Sequence, residues 1–412
     1  MNRRELLKKG LLMTATGLLL PKELFAQVDK SLLGPAADLL LDGTIKEQIL
    51  EALPGKKPLI KKAFRAPNYE TPFKYFDEIF TPNDVFFVRY HLANIPQDID
   101  EKTWKLKITG DAVEKTLELT MEDLKTKFEQ VEIVALKACS GNMRGLFNPH
   151  VPGVQWGYGA MGNAKWKGVR LKDILNKAGL KANALEVAFN GAESGLMPTT
   201  PDFVKSIPVW KATQEEVLVA YEMNDEPIPY LNGYPLVLVV PGWTATYWIK
   251  HLTDITVIST PLDNFWMKNA YRVSVDKFPI RERFLSQMNS EDMPITEVTI
   301  NSIITNIEKG QVFKLGQPIE VKGLTWDGGY GIKMVEVSVD GGKTWVEAQL
   351  DKDYGKFSWR QFSYVFKPNK KGNYTIMVKA TNSIGQTQPI KAIWEPHGYG
   401  YNAIQKINIK VI

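Results

Sequence analysis

Along this chain, apolar and polar residues alternate with period two in several short stretches and follow a helical period in few. Trp104 to Gly110 (WKLKITG) alternates cleanly and stops at glycine, which predicts a half-buried strand. Asp84 to His91 (DVFFVRYH) is aromatic and β-branched, and Val131 to Leu136 (VEIVAL) is similar, so both predict strands. Leu236 to Val240 is a continuous apolar run between Pro235 and Pro241-Gly242, the pattern of a strand buried on both faces. Leu171 to Ala178 places leucine and isoleucine at helical spacing before Gly179, which predicts a short helix with a glycine stop. Residues 28 to 75 are weakly periodic and contain lysine and proline; they read as an arm wrapped around the body.

The pattern changes near residue 290. From Val298 to Ile412 short strands alternate with Gly, Asn and Pro turns, and no long helical period survives. Val335 to Val339 alternates and runs into Asp340-Gly341-Gly342, a hairpin signal because glycine accepts positive φ without steric cost. Seven or so strands in about 115 residues suggest an Ig-like sandwich. The expected architecture is α+β: a mixed α+β domain over 27–290 followed by an all-β Ig-like domain over 291–412.

Residues 1–26 read as a targeting signal. Arg3-Arg4, followed by Leu6, Leu7 and Lys8, precedes the apolar run Leu11 to Leu20 and a small residue at Ala26. The pair resembles a twin-arginine signal, which exports folded proteins and so predicts a periplasmic product. No other stretch approaches the roughly 20 apolar residues of a membrane span. The chain carries 51 basic and 46 acidic residues, and without the signal 46 and 44. A balance that near neutrality excludes a nucleic-acid footprint.

Ligand-forming residues are scarce: one Cys and four His, with no CxxC, no haem-attachment motif and no HExxH. Any redox centre must therefore come mostly from a bound cofactor. A lone Cys at a strand end is usually a small buried hydrophobe. Cys139 differs in its setting, with Lys137 before it, Arg144 five residues later and Ser140-Gly141-Asn142 supplying a polar loop. Positive charge and amide dipoles favour thiolate, the form that ligates metal.

Lys137 to Arg144 (KACSGNMR) resembles the cysteine loop of the sulfite oxidase family. Phe87 to His91 (FVRYH), Asn232 to Trp243 with Tyr247 to Lys250, Phe265 to Arg272 (FWMKNAYR), and the segments Gly323–Gly329 and Val335–Trp345 resemble further family segments, in the family's order. The resemblance implies a molybdenum–molybdopterin cofactor, a pyranopterin dithiolene, with Cys139 as the protein ligand to the metal. It implies Arg89 and Arg144 on the substrate anion and Tyr271 beside the metal. His91, Ser140, Asp202, Asn232 and Lys250 would contact the cofactor, and the C-terminal domain would form a homodimer. A guanidinium is a rigid fork of donors suited to an oxyanion, so the activity implied is oxidation of sulfite to sulfate. With no haem in the chain, electrons would pass to a separate acceptor such as a c-type cytochrome.

Two departures temper the match. Asn232 and Val237 stand where many members have His and Arg for the cofactor phosphate. The family's further pocket arginine is absent from Trp394 to Asn402 (WEPHGYGYN), which puts His397 or Tyr401 there. A related molybdenum enzyme acting on another sulfur compound, a sulfoxide reductase or a sulfane dehydrogenase, is the alternative. An exported binding protein working through its Ig-like domain would leave the Cys139 loop unexplained.

Overall fold

A computed structural model describes residues 50–412; the proposed signal segment lies outside the described residues. The part of the expected arm within them is not irregular. Leu50–Glu51, Leu59–Ala63 and Asn68–Glu70 pair in turn and end on Val88–Arg89, forming a four-stranded antiparallel sheet. The strand expected over 84–91 therefore shrinks to the two residues Val88–Arg89, because those before them turn rather than pair.

The centre of the larger domain is a sheet in which Gln130–Ala138 pairs along its whole length with Met161–Arg170. Met161–Arg170 pairs in turn with Leu218–Met223, which also takes Glu226–Pro227 and Val237–Val239. Gly168 permits that contact: a methyl there would stand 2.1 Å from Val219 O. A second sheet runs Lys205–Pro208, Glu186–Gly191, Leu252–Ile258, Lys105–Thr109 and Leu117–Thr120, parallel only between the third and fourth strands. Between them lies a core rich in fully buried aromatics, including Trp166, Trp243, Tyr247 and Trp248. The helix Leu171–Ala178 forms as expected, burying Leu171, Ile174, Leu175 and Ala178 on one face. Gly179 ends it at φ 78°, donating to Leu175 O and Asn176 O.

The C-terminal part has nine short strands rather than about seven. Asn301–Ile304, Ile319–Trp326, Arg360–Phe366 and Gln349–Leu350 make one sheet. Val312–Phe313, Gln405–Val411, Gly372–Asn382, Ile332–Ser338 and Val346–Glu347 make the other. Their alternate residues, among them Ile319, Val321, Val335, Val337, Ile376, Val378 and Ile407, close on one another as a sandwich core. Asp340 accepts the N–H groups of Lys343 and Thr344 at 3.0 Å, which fixes the hairpin turn.

A third apolar cluster spans both domains: Phe73, Phe76, Leu136, Met143, Tyr158 and Met161 meet Ile303, Leu324, Trp326 and Trp359. Leu136 N donates to Phe357 O at 2.8 Å and Trp359 Nε1 to Ile79 O at 2.8 Å. The strand leading to Cys139 is thus packed from the other domain.

Beside it, Glu70 is buried and accepts from Gly157 N and Gly159 N at 2.9 Å each, with Lys62 Nζ 2.9 Å away. That loop supplies Ala160 O, the acceptor for Cys139 N at 2.9 Å. Glu70→Ala should cost about 3 kcal/mol or more, because it strands two amides and an ammonium away from water. Urea unfolding measures it; a midpoint unchanged from the parent would show that Glu70 does not hold this loop.

Candidate active site around Cys139

Gln130–Ala138 delivers Cys139 into a tight loop. Asn142 N donates to Cys139 O, Met143 N to Gly157 O and Arg144 N to Gly141 O, at 2.9, 2.9 and 3.0 Å. Asn142 Oδ1 accepts from Ala160 N at 3.0 Å. Met143 is left-handed, at φ 65°, which reverses the chain so that Arg144 returns toward the cysteine. Gly400 N, from the C-terminal domain, donates to Ser140 O at 3.1 Å. Ser140 Oγ is buried without a protein partner. Cys139 is the one cysteine of the chain and is not in a disulfide.

Arg89, His91 and Tyr271 converge here from segments 180 residues apart. Arg89 donates to Tyr90 O and, at 3.2 Å, to Tyr271 Oη. His91 Nε2 lies 2.5 Å from the same hydroxyl. Tyr271 itself holds a left-handed backbone, φ 60°, a local strain found where a side chain must be aimed. Burial lifts the Tyr271 phenol above its ordinary value against the pull of Arg89, so it remains a proton donor. Burial, reinforced by Arg89, Lys250 and Lys205, holds His91 well below the ordinary imidazole value, and the ring is neutral. Arg89 can only donate, so the Tyr271 oxygen accepts from it and has one proton to give. Given to His91 Nε2, that proton leaves Nδ1 as the protonated nitrogen, and Nδ1 is buried without a protein acceptor.

A cavity beside these residues is walled by Phe87, Arg89, His91, Lys137, Glu193, Phe203, Trp248 and Lys250. Its charge is lopsided. Lys250 Nζ lies 4.1 Å from the Tyr90 ring centre and 3.6 Å from Glu193 Oε1. Lys137 rests against the rings of Trp166 and Trp248, 5.8 Å from each. Burial depresses both lysines, most strongly Lys137, where Lys250 adds repulsion. The cavity therefore presents one guanidinium, two amines, one carboxylate and an unpartnered polar atom at His91 Nδ1, beside the loop that carries the buried Ser140 Oγ and a single thiol. An anionic, acceptor-rich organic group carrying a thiophilic metal fits that donor set.

Other expected residues sit differently. Asn232 is buried, but its amide donates to Phe87 O at 3.0 Å and accepts from Lys56 Nζ, so it braces the cavity wall instead of facing the cavity. Asp202 is exposed and accepts from Asn190 at 2.8 Å; its neighbour Phe203 lines the cavity, stacked 3.5 Å from the His91 ring. His397 points to solvent and pairs with Glu395 at 3.2 Å. Tyr401 packs edge-on against Phe147 and is not at the site either. The residue that does reach the site from this loop is Tyr399, stacked on Tyr271 with ring centres 5.4 Å apart. Glu193 and Lys205 were also not anticipated; no local signal marks the first. His251, bonded to Tyr90 Oη and Tyr234 O at 2.7 and 2.6 Å and pushed down to about 3 by burial, is a neutral structural residue.

Residues 91–266 match the family described as oxidoreductase molybdopterin binding domain, and residues 292–412 match the Mo-co oxidoreductase dimerisation domain. Fold and site together define a molybdopterin-dependent oxidoreductase. The chain is 32% identical over 379 residues to mitochondrial sulfite oxidase of Rattus norvegicus, covering 87% of this chain and 67% of that one. It is 28% identical to sulfite oxidase of Arabidopsis thaliana, covering 84% and 92%. Its fold superposes on the sulfane dehydrogenase SoxCD of Paracoccus pantotrophus with a TM-score of 0.70 at 23% identity, over 84% of this chain and 85% of that one. The chain belongs to the sulfite oxidase family.

Lys205 is fully buried, donates to Trp266 O at 2.6 Å and lies 5.4 Å from the Tyr271 ring centre. Burial, with Arg272 nearby, pushes it down to about 7, well below its ordinary 10.5. Between those two values the unfolded chain binds the extra proton, so stability should rise with pH by up to about 1.4 kcal/mol per unit. Below pH 7 the cost of the buried charge is present in full. Lys205→Met should therefore stabilise the protein at pH 6 and lose most of that gain by pH 10. Urea midpoints at the two pH values test this, and an equal shift at both would contradict it.

Proposed function

We propose that this protein oxidises sulfite to sulfate: sulfite and water give sulfate, two protons and two electrons. The observation that carries the reading is the convergence of Arg89, Arg144 and Tyr271 on Cys139, beside a wall of buried cations. Arg89, Tyr271, Lys250 and Tyr399 all lie close enough to Cys139 to interact electrostatically with a thiolate there. Cys139 would ligate the metal; Lys250, His91 Nδ1 and Ser140 Oγ would hold the pterin; Lys137 would neutralise its phosphate. When bound, the molybdenum centre supplies the oxygen-atom transfer and the two-electron change.

The chain's own groups do the rest. Arg89, kept charged because Tyr271, Cys139 and Glu193 outweigh its burial, offers donors to one face of the anion. Arg144 offers its free guanidinium edge to another. The Tyr271 hydroxyl is shared with His91, so an arriving oxygen competes for that proton and is oriented by it. The aromatic walls Phe203 and Trp266, packed with ring centres 4.9 Å apart, keep water from His91. The electrons leave to a separate acceptor, a c-type cytochrome in this proposal. The protein acts in the periplasm after twin-arginine export, as a homodimer through its C-terminal domain. No helix among the described residues is long and apolar enough to cross a membrane.

One observation favours the second reading, a molybdenum enzyme acting on another sulfur compound. The C-terminal loop contributes a neutral tyrosine to the site, and His397 faces away. The pocket therefore holds one fixed charge fewer than a third arginine would give.

The deciding experiment is sulfite-dependent reduction of cytochrome c by the purified protein, with molybdenum counted per chain. Cys139→Ser should fold and show almost no turnover, since a hydroxyl is a poor substitute for thiolate. Arg144→Gln should raise the Michaelis constant for sulfite about 30-fold or more, as loss of a charge-assisted bond to an anion implies. Molybdenum-loaded protein that ignores sulfite but turns over a sulfoxide would move the assignment to the second reading.

A further inference from the structure

Arg144 is held by an unusual set of contacts, most of them made by the other domain. Its Nε donates to His397 O at 3.0 Å and its Nη1 to Val154 O at 3.4 Å. Its guanidinium carbon lies 5.4 Å from the centre of the Tyr399 ring. Three glycines enclose it: a methyl at Gly141, Gly153 or Gly398 would stand 2.6, 2.9 or 2.5 Å from Arg144 atoms. Gly398 is left-handed at φ 68°, and that turn presents the His397 carbonyl to Arg144 and the Tyr399 ring to its side.

Tyr399 has a second partner. Its ring stacks on Tyr271, with an interplanar angle of 21°. Glu395 fastens the loop from within by accepting from His397 N and Tyr399 N at 3.0 and 2.8 Å. One aromatic ring therefore touches both the guanidinium and the phenol that flank Cys139, and it is 8% exposed.

We infer that Tyr399, a residue of the C-terminal domain, is a positioning residue of the substrate pocket that fixes Arg144 and Tyr271 relative to each other through its ring. A third guanidinium in this loop would add charge to the anion site. Tyr399 adds none; it limits the motion of the charge already there. A long, flexible arginine side chain loses rotamer entropy when it is fixed, so restraining it before the anion arrives strengthens binding without a new contact. The hydroxyl is secondary in this arrangement, because the face of the ring is what meets Arg144.

The inference rests on the proposed function only for its kinetic readout; a second readout needs neither substrate nor turnover. Tyr399→Phe keeps the ring and Tyr399→Leu removes it. Tyr399→Leu should raise the Michaelis constant for sulfite about tenfold, between an exposed and a fully desolvated cation–π contact, with a smaller effect on kcat. Tyr399→Phe should stay within about threefold of the parent. In an Arg144→Gln background, Tyr399→Leu should add little, since the restrained group is gone. Independently, nitrogen-15 arginine labelling should show the Arg144 Nε–H as a slowly exchanging signal, assigned by its loss in Arg144→Gln. It should persist in Tyr399→Phe and vanish in Tyr399→Leu. If Tyr399→Leu folds poorly, Tyr399→Met, unbranched and adaptable, replaces it.

Persistence of the signal in the Leu or Met variant would overturn the inference whatever the substrate proves to be. Loss of it in Tyr399→Phe as well would overturn the role given to the ring. Loss in Leu alone, from a parent that ignores sulfite, would leave the inference standing and remove sulfite as the substrate.

Discussion

Burying positive charge with too little negative charge beside it is the constraint on which this structure turns. Lys137 and Lys250 are removed from water in one cavity that Glu193 alone among the described residues lines as a carboxylate, and Lys205 is buried close by, with Glu186 its nearest negative influence. An isolated buried ammonium is costly. The protein lowers that cost with aromatic faces: Trp166 and Trp248 for Lys137, Tyr90 for Lys250, Tyr247 and Tyr271 for Lys205. Rings attract cations without neutralising them, so the field remains available for an anion. A carboxylate at each lysine would have made a more stable protein and a poorer site.

The second organising fact is that two domains build one centre. The large domain alone brings Cys139, Arg89, His91 and Tyr271 together, because its central strands and the left-handed turns at Met143 and Tyr271 aim them. The sandwich then fastens the result through Phe357 O, Gly400 N and the loop 394–402. The apolar cluster around Trp359 makes this a packed junction and not a hinge. Contact between the sandwich and the Cys139 site therefore runs through packed backbone and apolar side chains.

What was legible beforehand followed locality. The strand 130–138, the helix 171–178, the hairpin at Asp340 and the β-rich C-terminal part each rest on neighbours in sequence, and the sequence displays them. The Cys139 loop was legible because its thiol and its arginine are five residues apart. Lys205 and Tyr399 were not, since each acquires its role from a partner 66 to 255 residues away. Asn232 looked like a cofactor ligand by position, but Lys56, far upstream, claims its amide. His397 was the reasonable candidate in its loop, charge for charge. The turn at Gly398 swings the next side chain inward instead, and a positive φ is invisible in a glycine that sits among others.

The three glycines around Arg144 have an evolutionary consequence. They lie at positions 141, 153 and 398, in two domains, and none touches the thiol's chemistry directly. Each must stay without a side chain for one guanidinium to keep its place. Surface loops ordinarily tolerate exchange of glycine for alanine or serine, and such drift is the cheapest source of variation available to a chain. Here the same drift would push on the Arg144 guanidinium, and at Gly153 and Gly398, where φ is positive, it would strain the backbone as well. These three positions therefore tie the placement of one guanidinium to the backbone of both domains.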